Sequence, residues 1–143
     1  MNKFNYSDEY IRSILEDAKI IAMVGCSANS NRPSHSVMQY LIRKGHRVIP
    51  VNPVYAGQEI LGQTVYSSLA DVPGSVDMVD FFLRSEAVGP IVDMAIELAE
   101  TKKISVIWMQ LGVSDENAAK RAEEANIRVV MDRCPVIEYG RMG

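Results

Sequence analysis

The residues available for chemistry gather around one run: Ile20-Ile21-Ala22-Met23-Val24-Gly25-Cys26-Ser27-Ala28-Asn29-Ser30-Asn31-Arg32-Pro33-Ser34. An apolar stretch stops at a small, polar loop, and a helical pattern resumes at Pro33. The loop therefore sits at the carboxyl end of a strand and the amino end of a helix. Backbone N–H groups and the positive end of the helix dipole converge there, which suits a phosphate. Gly25 can be a simple turn glycine, but the strand–loop–helix setting favours the phosphate role. A helix start can lower the pKa of Cys26. With no acid–base partner in reach of it, Cys26 reads instead as a small packing residue. Arg32 reads equally well as a solvated arginine and as a phosphate ligand.

Other candidates lie further along. Arg84 follows Phe82-Leu83, which places a cation beside an apolar wall. Gln110 closes an apolar strand with a polar amide, which a buried polar ligand needs as a partner. Trp108 reads as core. His35 and His46 read as surface residues near helix ends, and Asp77 and Asp80 as edge or surface carboxylates. Cys26 and Cys134 form no CxxC pair, so neither a disulfide framework nor a cysteine zinc site is indicated. No metal-ligand spacing and no nucleophile–base pair appears, which points to binding with no reaction assigned.

The elements that must position these residues alternate. A short helix is expected over 7–18, with Ser7 as N-cap, followed by a strand from Ile20 to Val24. A helix from Pro33 ends at Arg43-Lys44-Gly45, with cations and then glycine at its negative end. The strand Arg47 to Val51 stops at Asn52-Pro53, where proline cannot continue a ladder. A brief strand at Thr64-Val65-Tyr66 and a helical turn near Leu69 come next. Then follow a strand from Val76 to Leu83, a helix opening at Ser85-Glu86, a strand from Ile104 to Met109, a helix capped by Ser114, a strand from Ile127 to Met131, and a short polar tail. Near-continuous apolar strands are covered on both faces, as in a parallel sheet. The expected fold is α/β: a Rossmann-like, doubly wound, mostly parallel sheet with helices on both faces. Right-handed crossovers place every strand-to-helix loop on one edge, where such sheets bind ligands.

The chain has 143 residues, 48% of them hydrophobic and 23% charged, with a net charge of −3. That size fits one domain, 1–143, with residues 1–19 as an amino-terminal helical extension. The acidic balance gives no global attraction to nucleic acid or to an anionic membrane. The first residues carry no apolar core of signal-peptide length, and no run approaches a membrane span. A cytoplasmic protein with reduced thiols is expected. A homodimer through an exposed strand edge or the amino-terminal helix is open to it.

The identity of the nucleotide follows from what is missing. After Gly25 no second or third glycine completes a GxGxxG fingerprint, and no Asp or Glu ends the second strand to hold an NAD ribose. Asn52 with a basic neighbour tolerates a phosphorylated ribose, which leaves NADP or coenzyme A (CoA).

Val24-Gly25-Cys26-Ser27, Arg32-Pro33, Pro50-Val51-Asn52-Pro53, Trp108 to Val113 and Met131-Asp132-Arg133-Cys134-Pro135 together resemble small stand-alone CoA-binding proteins. These are similar to the CoA-binding domain of the succinyl-CoA synthetase alpha subunit, and the likeness runs from about Ile20 to Tyr139. It implies a first CoA-contacting loop of Gly25, Cys26, Ser27 and Ala28, and a second at Asn52 and Pro53. The synthetase family has a lysine at that second loop; this chain does not, and Arg32 and Arg84 are the cations available instead. The resemblance further implies contacts from Phe82, Leu83 and Arg84, and from Met109, Gln110 and Leu111, with Gly112 following. Cys134 is then either structural or placed to form a mixed disulfide with the CoA thiol. The synthetase's phosphorylated histidine belongs to a later domain, and neither His35 nor His46 matches it, so the resemblance implies binding and not ligase chemistry. The expectation is a protein that binds CoA or acyl-CoA. The alternatives are an NADP-dependent oxidoreductase, a CoA-transfer component acting with a partner, and an interaction module that has lost its ligand.

Overall fold

The computed structural model describes residues 5–142; Met1–Phe4, the start of the expected extension, and Gly143 lie outside the described residues. The strands are β1 (Ile20–Val24), β2 (Arg47–Val51), β3 (Glu59–Ile60), β4 (Gln63–Thr64), β5 (Met78–Phe81), β6 (Val106–Met109) and β7 (Arg128–Val130). The helices are α1 (Asp8–Asp17), α2 (Pro33–Arg43), α3 (Ser85–Lys102), α4 (Glu116–Glu124) and α5 (Pro135–Met142). Five strands form one parallel sheet in the order β2-β1-β5-β6-β7, and β3 and β4 form a separate small hairpin.

Side chains alternate across the sheet. Ala22, Val24, Val79, Phe81, Ile107 and Met109 face one way, against apolar residues of α3 and α4. Ile21, Met23, Met78, Val106 and Trp108 face the other way, against α1, α2 and α5. Both faces are dry, which is why the strands read as unbroken apolar runs. Among the described residues no helix is long and apolar enough to cross a membrane.

Four local expectations change. The cap of α4 is Asp115, whose Oδ1 accepts from the Ala118 N–H at 3.0 Å, while the Ser114 N–H donates to Ser85 Oγ. Asp caps as well as Ser, so sequence alone does not separate adjacent candidates. The expected tail is the helix α5, whose Val136, Tyr139 and Met142 pack on the α1–α2 face. The expected strand at Thr64-Val65-Tyr66 is divided between the β3–β4 hairpin and a single bridge from Tyr66 to Val51. His46 is buried, not on the surface. The Ala18 carbonyl can only accept, so His46 Nδ1 donates to it and Nε2 accepts from the Tyr139 hydroxyl. Burial lowers the pKa of this ring, in keeping with a neutral imidazole that ties α1 to α5.

Helix α1 also closes an edge of the sheet. The Tyr10 hydroxyl donates to the Val129 carbonyl at 2.8 Å and accepts from the Val129 N–H at 3.0 Å, and the Tyr6 hydroxyl accepts from the Met131 N–H at 2.9 Å. At the opposite edge, Tyr66 pairs with the backbone of Pro50 and Asn52. The backbone groups that edge-to-edge pairing of two copies would use at these positions are already satisfied within the chain.

Of the two carboxylates expected at edge or surface positions, Asp77 lies partly exposed just before β5, while Asp80 is buried within it. Asp77 Oδ2 accepts from the Lys19 and Ile20 N–H groups at 3.0 and 2.8 Å, and so fastens the entry to β1. Asp80 is fully buried in central strand β5, in register between Met23 and Trp108, with neither carboxyl oxygen hydrogen-bonded. Burial raises its pKa well above the ordinary 3.8. The folded chain then holds a proton that the unfolded chain releases, so stability is full below pH 3.8 and falls as pH rises towards the folded value. In urea denaturation, Asp80→Asn is expected to gain on the parent as pH rises from 4 to 8, by up to about 1.4 kcal/mol per pH unit while the window lasts. A gap that does not widen with pH would show that the carboxyl is ionised or partnered.

Candidate nucleotide-binding site

From β1 the chain crosses to β2 on one side, then returns to β5 on the other. The loops after β1 and β5 therefore diverge at the carboxyl edge, which is the topological switch point. A groove opens there as three adjoining clefts. The first, about 400 Å³, is walled by Ser27, Asn29, Arg32, Ser34, Tyr55 and their neighbours. The second, about 500 Å³, lies between Val37, Leu83, Arg84, Gln110 and Cys134, and shares Pro33 and Phe82 with the first. The third, about 340 Å³, is lined by Pro53, Leu69, Ile91 and Met94, and shares Gly25 and Asn52 with the first.

Gly25 makes the first turn possible. Its φ is +87°, and a Cβ there would come 2.2 Å from the Phe82 carbonyl oxygen. The Gly25 N–H donates to the Val51 carbonyl and the Phe82 N–H to the Val24 carbonyl, both at 2.8 Å, so three strands are pinned together at the switch point. The glycine is thus a close-approach residue whose own N–H is already used.

The loop beyond it is held by side chains. Ser34 Oγ accepts from the Ser27 N–H at 2.9 Å, Ser27 Oγ from the Asn29 N–H at 3.0 Å, and Asn29 Oδ1 from the Asn31 N–H at 2.9 Å. The N–H groups of Ala28 and Ser34 meet no acceptor among the described residues, so they remain free for an anion at the start of α2. Asn52 is a brace: its Nδ2 donates to the Cys26 carbonyl and its Oδ1 accepts from the Val54 N–H, both at 3.0 Å. The Cys26 thiol points into the core, 3.7 Å from the Met38 sulfur, and burial pushes its pKa up to about 11.

On the other side of the groove, Gln110 is 6% exposed and its Oε1 has no partner. The Gly112 N–H donates to Asp132 Oδ1 at 2.7 Å, and the Trp108 indole N–H to the Arg133 carbonyl at 2.9 Å. These bonds tie the loop carrying Cys134 to the end of β6. Trp108 is core, as expected, and it also positions this loop. Cys134 itself is half-buried.

Of the sequence-named residues, Gly25, Ser27, Arg32, Asn52, Pro53, Phe82, Leu83, Arg84, Gln110 and Cys134 line the groove. Ala28 is exposed and lines none of the clefts, Met109 turns its side chain to the core against α3 and α4, and the Gly112 N–H is bonded to Asp132. Sequence reasoning gave no site role to Ser34 or Tyr55, which line the first cleft, and quoted Asp132 only within the Met131–Pro135 motif. The dipeptide Pro33-Ser34 at a helix start was a signal for the first of these; nothing local marked Tyr55. No Asp or Glu lines the three clefts, and the exposed guanidiniums of Arg32 and Arg84 have no ion-pair or hydrogen-bond partner among the described residues. The groove therefore favours an anion.

These features define a class: Rossmann-like α/β domains, here with a groove at the carboxyl edge of the sheet. Within it, residues 19–140 match the pattern of the CoA-binding domain, and the chain belongs to that family. It is 37% identical to the protein YneT of Bacillus subtilis (strain 168) over 130 residues, 91% of this chain and 92% of YneT. A protein from Pyrococcus horikoshii OT3 superposes with a TM-score of 0.90 at 36% identity, covering all of this chain and 97% of that one. Acetyl-coenzyme A synthetase 1 of Ca. Korarchaeum cryptofilum shares the fold, with a TM-score of 0.64 and 22% identity, over 80% of this chain and 26% of its own.

Gly25→Ala is expected to destabilise the protein by roughly 2–4 kcal/mol, combining backbone strain with a clash against backbone that cannot move aside. Chemical denaturation measures this, and a loss below about 0.5 kcal/mol, an ordinary surface effect, would show that the β1 and β5 loops separate easily.

Proposed function

We propose that this chain binds coenzyme A or an acyl-CoA along the whole groove and acts as a binding, carrier or sensing module. The adenosine lies in the third cleft, against Pro53, Leu69 and Met94. The phosphates lie in the first, against the Ser27–Ser34 loop and Arg32. The pantetheine arm runs through the second, past Phe82, Arg84 and Gln110. One observation carries this reading: a polar, cationic cleft continues directly into an apolar one whose buried amide lacks a partner. CoA has that sequence of chemistry, an anionic head followed by a largely apolar arm with amide links. The membership of residues 19–140 in the CoA-binding domain family supports the same ligand. The groove walls carry no histidine or carboxylate among the described residues, so the reading assigns no reaction.

A thermal-shift panel tests the reading. CoA is expected to raise Tm while NAD and NADP leave it unchanged; a response to NADP alone would replace CoA binding with the oxidoreductase alternative. In calorimetry, Arg32→Ala is expected to weaken CoA binding roughly 10- to 100-fold, the scale of one charge-assisted hydrogen bond, and Arg84→Ala, beside the uncharged arm, to weaken it less. Unchanged affinity in Arg32→Ala would move the phosphates elsewhere.

A further inference from the structure

The second cleft brings a thiol and an unsatisfied amide to one wall. Cys134 and Gln110 both line it, and Gln110 is 6% exposed with its Oε1 unpartnered. A buried acceptor without a donor is costly, and turning the Gln110 amide into the cleft towards a ligand N–H relieves that cost. Pantetheine carries amide N–H groups along its arm and a sulfur at its end. An arm that hydrogen-bonds Gln110 brings that sulfur into the cleft that Cys134 walls.

Cys134 is presented from fixed backbone. Its carbonyl accepts from the Glu138 N–H at 3.0 Å in the first turn of α5, and the preceding residue is held by Trp108 and by the Met109 carbonyl. The other cysteine cannot compete. Cys26 is sealed against Met38, and no disulfide joins the two.

We propose that Cys134 is a thiol–disulfide exchange site for CoA disulfides, a class in which the CoA sulfur is already bonded to a second sulfur. This rests on the CoA-binding reading above. The Cys134 thiolate attacks the CoA sulfur of the bound disulfide. A Cys134–CoA disulfide forms, the original S–S bond breaks, and the departing thiolate takes up the proton that Cys134 released. One disulfide replaces another, so no further oxidant enters the balance, and an external thiol reverses the step. With Cys26 sealed away, no second protein thiol resolves the mixed disulfide. The CoA-bound state then persists until such a thiol arrives, and the protein would register the oxidised fraction of the CoA pool.

Intact-mass spectrometry under non-reducing conditions, after incubation with the CoA homodisulfide, tests this. The parent protein and Cys26→Ser are expected to gain one CoA moiety, mapped to Cys134 and removed by dithiothreitol, and Cys134→Ser to gain none. Labelling by glutathione disulfide should be at least ten-fold slower, and desulfo-CoA, which lacks the sulfur, should block the CoA adduct. Equal rates with both disulfides, no protection by desulfo-CoA, or labelling at Cys26 would each overturn the proposal. Calorimetry of the parent protein with reduced CoA separates the two levels: binding without an adduct defeats the exchange site alone, and neither binding nor an adduct defeats the CoA reading as well.

Discussion

With Gly25 at a φ of +87° and the Phe82 carbonyl oxygen filling the space a side chain would need, the loops after β1 and β5 lie on one another's backbone. The rest of the groove depends on that approach. It lets β1 reach Val51 on one side and Phe82 on the other through hydrogen bonds that extend the sheet past its last regular residues. The first cleft is the space left where the two loops then part. Without the contact the loops would have no fixed relative position, and the Arg32 and Arg84 sides of the groove would not share an edge.

The surrounding framework keeps that edge rigid by using polar groups sparingly. Asn52 spends both ends of its amide on backbone, and Ser34 spends its hydroxyl on the Ser27 N–H. The Trp108 indole N–H and the Asp132 carboxylate fasten the Cys134 loop to the end of β6. The groups left over include the guanidiniums of Arg32 and Arg84 and the N–H groups of Ala28 and Ser34, while the Gln110 oxygen is buried in the groove wall without a partner. Asp80 is the exception. It is a buried, unpartnered carboxyl of β5, two residues before Phe82, and burial raises its pKa.

Much of the fold was legible because burial on both faces of a parallel sheet leaves a strong sequence mark. β1 and β2 and the start of α2 fall at their expected residues, and Gly45, the glycine expected to end α2, takes a positive φ. The regular tail helix was less legible. Its apolar stripe of Val136, Tyr139 and Met142 is short and is stabilised by packing on α1 and α2. His46 and Asp80 were misread because their types suggest exposure, while their burial depends on neighbours distant in sequence.

The sequence by itself determined the alternation of elements, the loop that would begin the site and the exclusion of an NAD fingerprint, because these rest on local spacing and residue type. Only the tertiary structure decided what each loop residue does. It turned the Cys26 sulfur inward while leaving Cys134 on the groove wall. It made Gly25 a close-packing residue whose N–H is already bonded. It joined Arg32, Arg84 and Gln110 into one continuous surface. Side-chain direction and backbone hydrogen bonding at a switch point are set by strands that meet there from distant parts of the chain, and no local pattern encodes that meeting.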